Sequence, residues 1–525
     1  MASAKPYYTT NQLIESIQRR ISYPLSQNTF QYSDLVAFLN EELQLSAVPA
    51  VKMEHEEYFV FKKTVPLVNG ISRYEIPDRA IGMALRDVKY SDVYGNFYDM
   101  TRIAPDDKAF FQQSNGSNQT VSKFYVEGNE IVLTPQVLQG ATGLLNFFIY
   151  LRPNSLVRDD RARTIVNFQK EFTVDNTNIQ VGDQFIIYTG VQSPTPVQNI
   201  FTAINNSVRS IVDISTSGVL TTTNAHNLPI DQSVTITFTS VSGLLPDLNG
   251  KKISAVSTGA NTFQLSETFT SLGTGGSYNI ENQFEIGGSS IVTANNLYNA
   301  INAANIKNVT STNTSTVVIG RVTVLYKDIS VDFAVLKPLV NTNPLAITYD
   351  AQNIYMNFDA ILESTYKDPE TDVITPFFIP GVSYVDFLQT NPGHRTYTYD
   401  VKLQAANTTV GVFLVDDLKT YAQNSSGGQL TYLNIKVGDY ICLQNECIIP
   451  QIPPELHNAL AERAASRILM AIGDVQGYQI SQAKIAEMNK MQETLIGSRI
   501  ESSVPKVFNR YSLLRLGKSR FRRRY

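Results

Sequence analysis

The spacing of apolar residues changes twice along this 525-residue chain. Near the N-terminus Leu13, Ile14, Ile17 and Ile21 recur every three or four positions, the repeat of one helical face. Thr9 and Gln12 form a capping-box pair that would start this helix, and Pro24 would stop it. Ser33 and Asp34 read as the cap of a second helix, with Leu35, Phe38, Leu39 and Leu43 on one side and an end before Pro49. From Tyr58 to Pro153 the period becomes two. Phe124 to Val126 and Glu130 to Leu133 flank Glu127, Gly128 and Asn129, a short hairpin loop, and Leu144 to Leu151 is apolar on both faces, as a central strand would be.

Between about residues 161 and 345 charge falls and Asn, Thr, Ser and Gly rise. A weak internal similarity lies here. Gln184-Phe185 leads to Asn199 through Asn205, and Gln283-Phe284 leads to Asn296 through Asn302, both ending in Ala-Ile-Asn. Both copies read as a strand, a loop and a short helix. Short strands fill the interval from Gly218 to Gly276. Alternation resumes from Ile347, as in Gly411 to Leu414 and Val437 to Ile441, and these strands are expected to pair with those before residue 153. The period returns to helical at the C-terminus. Pro454 suits a first turn. Leu456, Leu460, Ala464, Ile468, Leu469 and Ile472 form one stripe, closed by Gly473. Ala459, Ala461, Ala464 and Ala465 allow close helix contact. A second helix from about Gly477 to Ile500 has Ile485, Met488, Met491 and Leu495 as its stripe.

The expected class is therefore α+β: a terminal α-helical bundle plus an antiparallel β domain, with inserted small β-rich, barrel-like modules. Residues 1–50 supply N-terminal helices, 51–160 the first part of the β domain, and 161–345 the insertion, with its barrel-like module at about 215–277. Residues 346–452 supply the second part of the β domain, 453–500 a helical hairpin, and 501–525 a basic tail.

Charge sharpens the picture at that tail. The net charge of −4 divides into about +8 from Arg499 onward and −12 elsewhere. Arg510, Arg515, Lys518, Arg520, Arg522, Arg523 and Arg524 interleave with Phe521 and Tyr525. Basic groups suit phosphate backbones or an acidic protein groove, and the aromatic anchors favour ordered docking over a solvated end. These nine residues are the candidate docking or DNA-facing site. Elsewhere the chemistry is sparse. The four histidines, His55, His226, His394 and His457, show no metal-binding spacing, and no nucleophile elbow or phosphate loop occurs. His457 is placed on the solvent side or helix edge. His226 with Asp231 is a remote general-base pair, more simply a turn histidine. Asp92, Asp99, Asp106 and Asp107 suggest calcium only faintly, since no EF-hand pattern surrounds them. Cys442 and Cys447 are too few for a disulfide framework and unsuited to zinc, though one bridge between them stays open. No metal or other cofactor and no enzymatic activity are expected. The N-terminus carries no apolar run with a cleavage site, and no stretch approaches a membrane span.

The ends of the chain resemble the head-to-tail adaptor (connector) proteins of tailed bacteriophages. The resemblance lies in the N-terminal helix pair, Val65 to Pro77, Phe124 to Pro135, Pro453 to Asp474, and the run from Arg499 through Lys506 and Arg510 to Arg515, covering roughly residues 8–153 and 430–525. The middle departs from that family. There Val219 to Leu228, Val234 to Ile236, Leu248 to Gly250, Asn261 to Leu265 and Gly275-Gly276 are similar to a small β-barrel module of phage tail proteins, related to a half-domain of ubiquitin-activating enzymes, with Asn227 where that module has glycine. The resemblance implies a homo-oligomeric ring, a dodecamer, in the virion neck and assembled in the host cytoplasm. The portal protein would lie above it, a nozzle or next ring protein below, and genomic DNA would pass through. The insertion would contact a tail fibre or spike. A nozzle or spike-attachment protein binding tail proteins or host glycans is the alternative.

Overall fold

A computed structural model describes residues 7–21, 30–68, 70–92, 96–107, 123–134, 143–190, 196–205, 209–226, 230–231, 233–337, 344–390, 396–407, 409–422, 429–432 and 435–496. The fold is α+β and mostly β, with antiparallel sheets and a six-stranded barrel. Two compact units divide the chain, one of residues 1–159, 425–427 and 448–525, the other of 160–424 and 428–447.

The first unit holds the terminal helices. Helix α1 (Thr10–Arg20) starts at the expected capping box: Gln12 donates its N–H to Thr9, and Thr9 donates its own to the Gln12 side chain. Leu13, Ile14 and Ile17 are buried along it. Helix α2 (Tyr32–Glu42) is capped differently from the expectation. Gln31 is the N-cap, and Asp34 sits three positions later, where its carboxylate accepts the Gln31 N–H at 2.9 Å. Nor does the helical run end before Pro49. A π-turn, Leu43–Ala47, leads into α3 (Val48–Glu54), with Pro49 in the first turn of α3. Two strand groups follow, antiparallel except that Thr101–Arg102 runs parallel to Lys123–Glu127. Leu144–Leu151 is central in the first, between Val60–Pro66 and Ala80–Ser91, with Phe97–Asp99 at the far edge. Leu145, Phe147 and Ile149 are fully buried on one face, and Asn146 on the other is held by Ser91. In the second group Lys123–Glu127 and Glu130–Thr134 form the expected hairpin around Gly128, at φ +62°. Two C-terminal helices, His457–Ile472 and Val475–Ile496, complete this unit.

The second unit corrects the expected domain plan. The long strand Arg163–Val174 pairs with Gly320–Tyr326 on one side and with Asn353–Phe358 on the other. Ile347–Tyr349 and Tyr440–Leu443 also pair with it, and Tyr384–Leu388 joins through Tyr440–Leu443. Seven of the described strands from residue 347 onward thus complete a ten-stranded sheet with three strands of the supposed insertion, not the sheets before residue 153. Phe168 and Phe172 face inward and meet Phe185, Phe201, Phe284 and Phe333 from a second, four-stranded sheet. Helix α4 (Ser290–Ala303), capped by the Ser289 side chain, covers the same core with Ala294, Leu297 and Ile301. The two Ala-Ile-Asn copies differ in structure: the second lies on α4 as expected, whereas the first closes strand Val197–Ile204. Phe201 and Ala203 alternate into the core there, and the strand pairs antiparallel with Gln184–Thr189 and parallel with Gln283–Glu285.

The barrel within this unit runs in the order Arg209–Ile214, Val219–Thr222, Thr262–Leu265, Lys252–Gly259, Ser233–Thr239, Ser277–Ile280, and closes back on its first strand. Closure leaves no exposed sheet edge. Ile214, Leu220, Phe238, Leu248, Phe263 and Tyr278 fill a core of its own.

A candidate assembly surface on the terminal helices

Helix α5 (His457–Ile472) is the axis of the terminal layer. Pro453 ends extended and Pro454–Leu456 make a 3-10 turn, so the helix starts sharply. Ala459, Leu460, Ala461, Ala464, Ala465, Ile468 and Leu469 are buried along it, and the small residues bring α1, α2 and α6 close. It ends at Gly473, φ +79°, where the Asp474 N–H reaches Leu469 O at 3.0 Å and the Gly473 N–H reaches Met470 O at 3.2 Å, a Schellman closure.

His457 is not on the solvent side. It is fully buried, its Nδ1 accepts the Tyr8 N–H at 3.1 Å, and its Nε2 lies 3.3 Å from Ile452 O. Those roles suit a neutral ring with the proton on Nε2. Thr10 adds a backbone and a hydroxyl bond to Ile448 O at 2.8 and 3.1 Å. The two chain ends are therefore joined at the base of the bundle. Further up, Arg20 of α1 donates to Glu462 at 2.7 Å, and Ser481 donates to the other oxygen of the same carboxylate at 2.8 Å. Arg467 pairs with both Glu41 and Glu42, and Ser46 donates to Glu42 at 2.6 Å. Arg463 is buried enough that desolvation pushes its guanidinium below its ordinary range, with Glu42 opposing, and it donates to Asn489 at 2.7 Å. Bonds of this kind fix the register in which the helices pack, because a slip would leave buried charges without partners.

Helix α6 (Val475–Ile496) is built otherwise. At roughly 33 Å it is the longest helix among those described. Only one side is covered: Ser481 is buried, and Tyr478, Ile485, Met488 and Asn489 are half-buried beside it. On another side Ile480, Ala483, Glu487 and Met491 recur at helical spacing and are exposed, Met491 by 56%. Met470, Ile472 and Val475 at the turn are exposed too. The expectation that Ile472 and Met491 belong to covered stripes is corrected here. In Met491's case the sequence holds two apolar flanks on one helix, and the chain's own helices cover the other. The second flank is a surface of the sort that marks association between proteins.

The nine predicted site residues, Arg510, Arg515, Lys518, Arg520, Phe521, Arg522, Arg523, Arg524 and Tyr525, lie outside the described residues, as does His394. The other sequence candidates are dispersed. His226 is buried, its ring centroid 4.1 Å from that of Phe263 and tilted against it, whereas Asp231 is exposed. Asp92 accepts from Asn96 at 2.8 Å and from Tyr98 at 3.1 Å, and Asp99 pairs with Lys89 at 2.9 Å. Cys442 and Cys447 are both buried thiols not joined in a disulfide, and burial pushes the Cys442 thiol well above its usual range. Among the described residues no three His, Cys, Asp or Glu side chains cluster as metal ligands, and no helix is long and apolar enough to cross a membrane. No known family model matches the chain, and no curated protein matches it.

Proposed function

We propose that this chain is a structural head-to-tail adaptor of a bacteriophage virion, assembling as a ring between portal and tail around the DNA exit channel, without enzymatic activity. The observation that carries this reading is the terminal layer. Both chain ends are locked into one bundle by His457, Arg20 and Glu462, while α6 keeps an apolar flank uncovered and runs toward the basic segment. A rigid bundle with one unsatisfied face is suited to side-by-side packing of identical copies. The basic residues from Arg510 to Tyr525 then serve as docking straps to the portal, weak singly and strong when many act together. The acidic remainder of the chain would let DNA pass without adhering.

Native mass spectrometry of the full chain, alone and mixed with its portal protein, tests this. Closed multimers that bind portal are expected, and removal of residues 501–525 should abolish portal binding while leaving the multimers. A protein that stays monomeric and never binds portal at high concentration refutes the reading. A second reading, a tail nozzle or spike-attachment protein, is favoured by the closed barrel with its own core. Immunogold labelling at the distal tail instead of the collar would select it.

A further inference from the structure

The barrel interior is apolar along most of its length, but a cation stands on its inward face. Arg209 lies directly opposite Tyr278 where Arg209–Ile214 pairs with Ser277–Ile280. Side chains opposite each other share a face, and here it is the buried one, since Tyr278 is 1% exposed. The Arg209 Cζ lies 5.9 Å from the centre of the Tyr278 ring. Ser257, fully buried, stands opposite Phe263, and Phe263 meets Tyr278 edge to face. Thr222 and His226, both buried, border the same aromatic pair. Thr222 donates its hydroxyl to Asn224 O at 2.7 Å, and the His226 ring bonds the backbone of Gly259 and Thr262. Two atoms are left over. Among the described residues the buried Arg209 Nη1 and the buried Ser257 Oγ have no hydrogen-bond partner. No described carboxylate pairs with Arg209 either. Asp213 and Asp231 are exposed, and burial, opposed by no acid, pushes the guanidinium below its ordinary range. A buried cation without a counter-charge is among the least favourable arrangements a fold can hold, and a buried polar atom without a partner asks for one. An aliphatic residue at 209 would close the barrel without that cost.

We propose that this end of the barrel binds a phosphate-class oxyanion, held by the Arg209 guanidinium and the Ser257 hydroxyl. A guanidinium presents its N–H groups in a fork that matches phosphate oxygens, and a hydroxyl adds a donor without adding charge. The two donors come from separate strands, Arg209–Ile214 and Lys252–Gly259. A tetrahedral ion offers oxygens in more directions than a planar carboxylate, which suits donors placed that way. The strand end gives the ion a path: Arg209 as a whole is half-buried, and Ser210 beside it is exposed. His226 reports on the same place. The Arg209 charge is what disfavours a second proton on its ring after burial itself. An anion on Arg209 would cancel that field, so the ring would hold its proton to higher pH, and binding and protonation are linked. Nothing in this site depends on assembly into a ring.

The experiment uses the full chain in about 10 mM inorganic phosphate, acetate or chloride at matched ionic strength. Amide hydrogen exchange is read in peptides from 209 to 280, and the His226 ring is titrated by NMR, its signal being the one lost in His226→Phe. Phosphate should raise protection of the barrel above its level in chloride or acetate, and should move the His226 pKa upward by about 1 unit. Arg209→Met should remove both responses. Ser257→Ala should need about tenfold more phosphate for the same protection, the worth of one hydrogen bond to a charged group. A wild-type chain that responds to phosphate no more than to chloride overturns the site. So does an equal phosphate response in Arg209→Met, which would mark general salt stabilisation. An acetate response as large as that to phosphate overturns the phosphate class. Should Arg209→Met not fold, Ser257→Ala decides, because it keeps the cation: an unchanged phosphate response there overturns the proposal.

Discussion

The bond between Arg20 and Glu462 joins α1 to α5, and breaking it should loosen the layer that both chain ends build. The Glu462 side chain is 5% exposed and that of Arg20 21%, at 2.7 Å. Arg20→Met leaves the carboxylate buried with only the Ser481 hydroxyl at 2.8 Å. Losing one partner of a buried pair costs about 3–5 kcal/mol, and because water reaches part of the Arg20 site the figure here is about 2–4 kcal/mol. Replacing both residues with Met removes charge and partner together and should cost less than about 1 kcal/mol. The pair's coupling is then at least about 1–3 kcal/mol, a sizeable part of a typical folding free energy of about 5–15 kcal/mol. Two compact units make a single melting curve ambiguous. The assay is therefore amide hydrogen exchange in increasing urea, read in peptides from α1 and α5. If Arg20→Met costs under about 1 kcal/mol and the coupling falls below about 0.5 kcal/mol, the pair behaves as an exposed salt bridge and the register argument fails.

Other consequences can be measured on the same protein. Burial lowers the His226 pKa below 6.5, while an unfolded chain takes up its proton near 6.5, so stability from this ring is present above that value and is lost as pH falls from it. Protection of the barrel strands between 209 and 280 should drop between pH 7.5 and 5.5, and His226→Phe should flatten the slope; an unchanged slope refutes the assignment. Neither native thiol should react with Ellman's reagent at pH 8 in the folded protein, and both should react in urea, because the thiols are buried and Cys442 resists ionisation. Gly320→Ala drives a methyl into Ser290 O, and overpacking of this kind costs about 1–3 kcal/mol, to be seen as lost protection in α4 and its neighbouring strands.

What could be read beforehand divides by range. Features set within one turn were legible: the Thr9–Gln12 box, the Gly128 hairpin and the Gly473 stop each depend on residues a few positions apart. Strand partners were not. Ile354 and Phe413 alternate as any half-buried strand does, and nothing in that alternation says whether they meet Phe147 or Phe168; only assembly of the whole core around the phenylalanines of Arg163–Val174 decides it. The repeated Ala-Ile-Asn shows how weak a local match is. On α4 its isoleucine is buried together with Leu297, four positions earlier, whereas Ile204, also buried, ends a strand along which Phe201 and Ala203 alternate into the core, and the flanking period, not the shared triplet, selects helix or strand. The same limit governs the candidate surface. Ile485 and Met488 lie on one flank of α6, Ile480 and Met491 on another, and no pattern within the helix marks which flank its own chain will cover. That depends on Ser481 finding Glu462, an acid nineteen positions back and already paired with the opposite end of the chain. The uncovered flank is thus fixed by polar partners, not by hydrophobicity, and a substitution at Glu462 that freed α6 to rotate would exchange the buried flank for the exposed one.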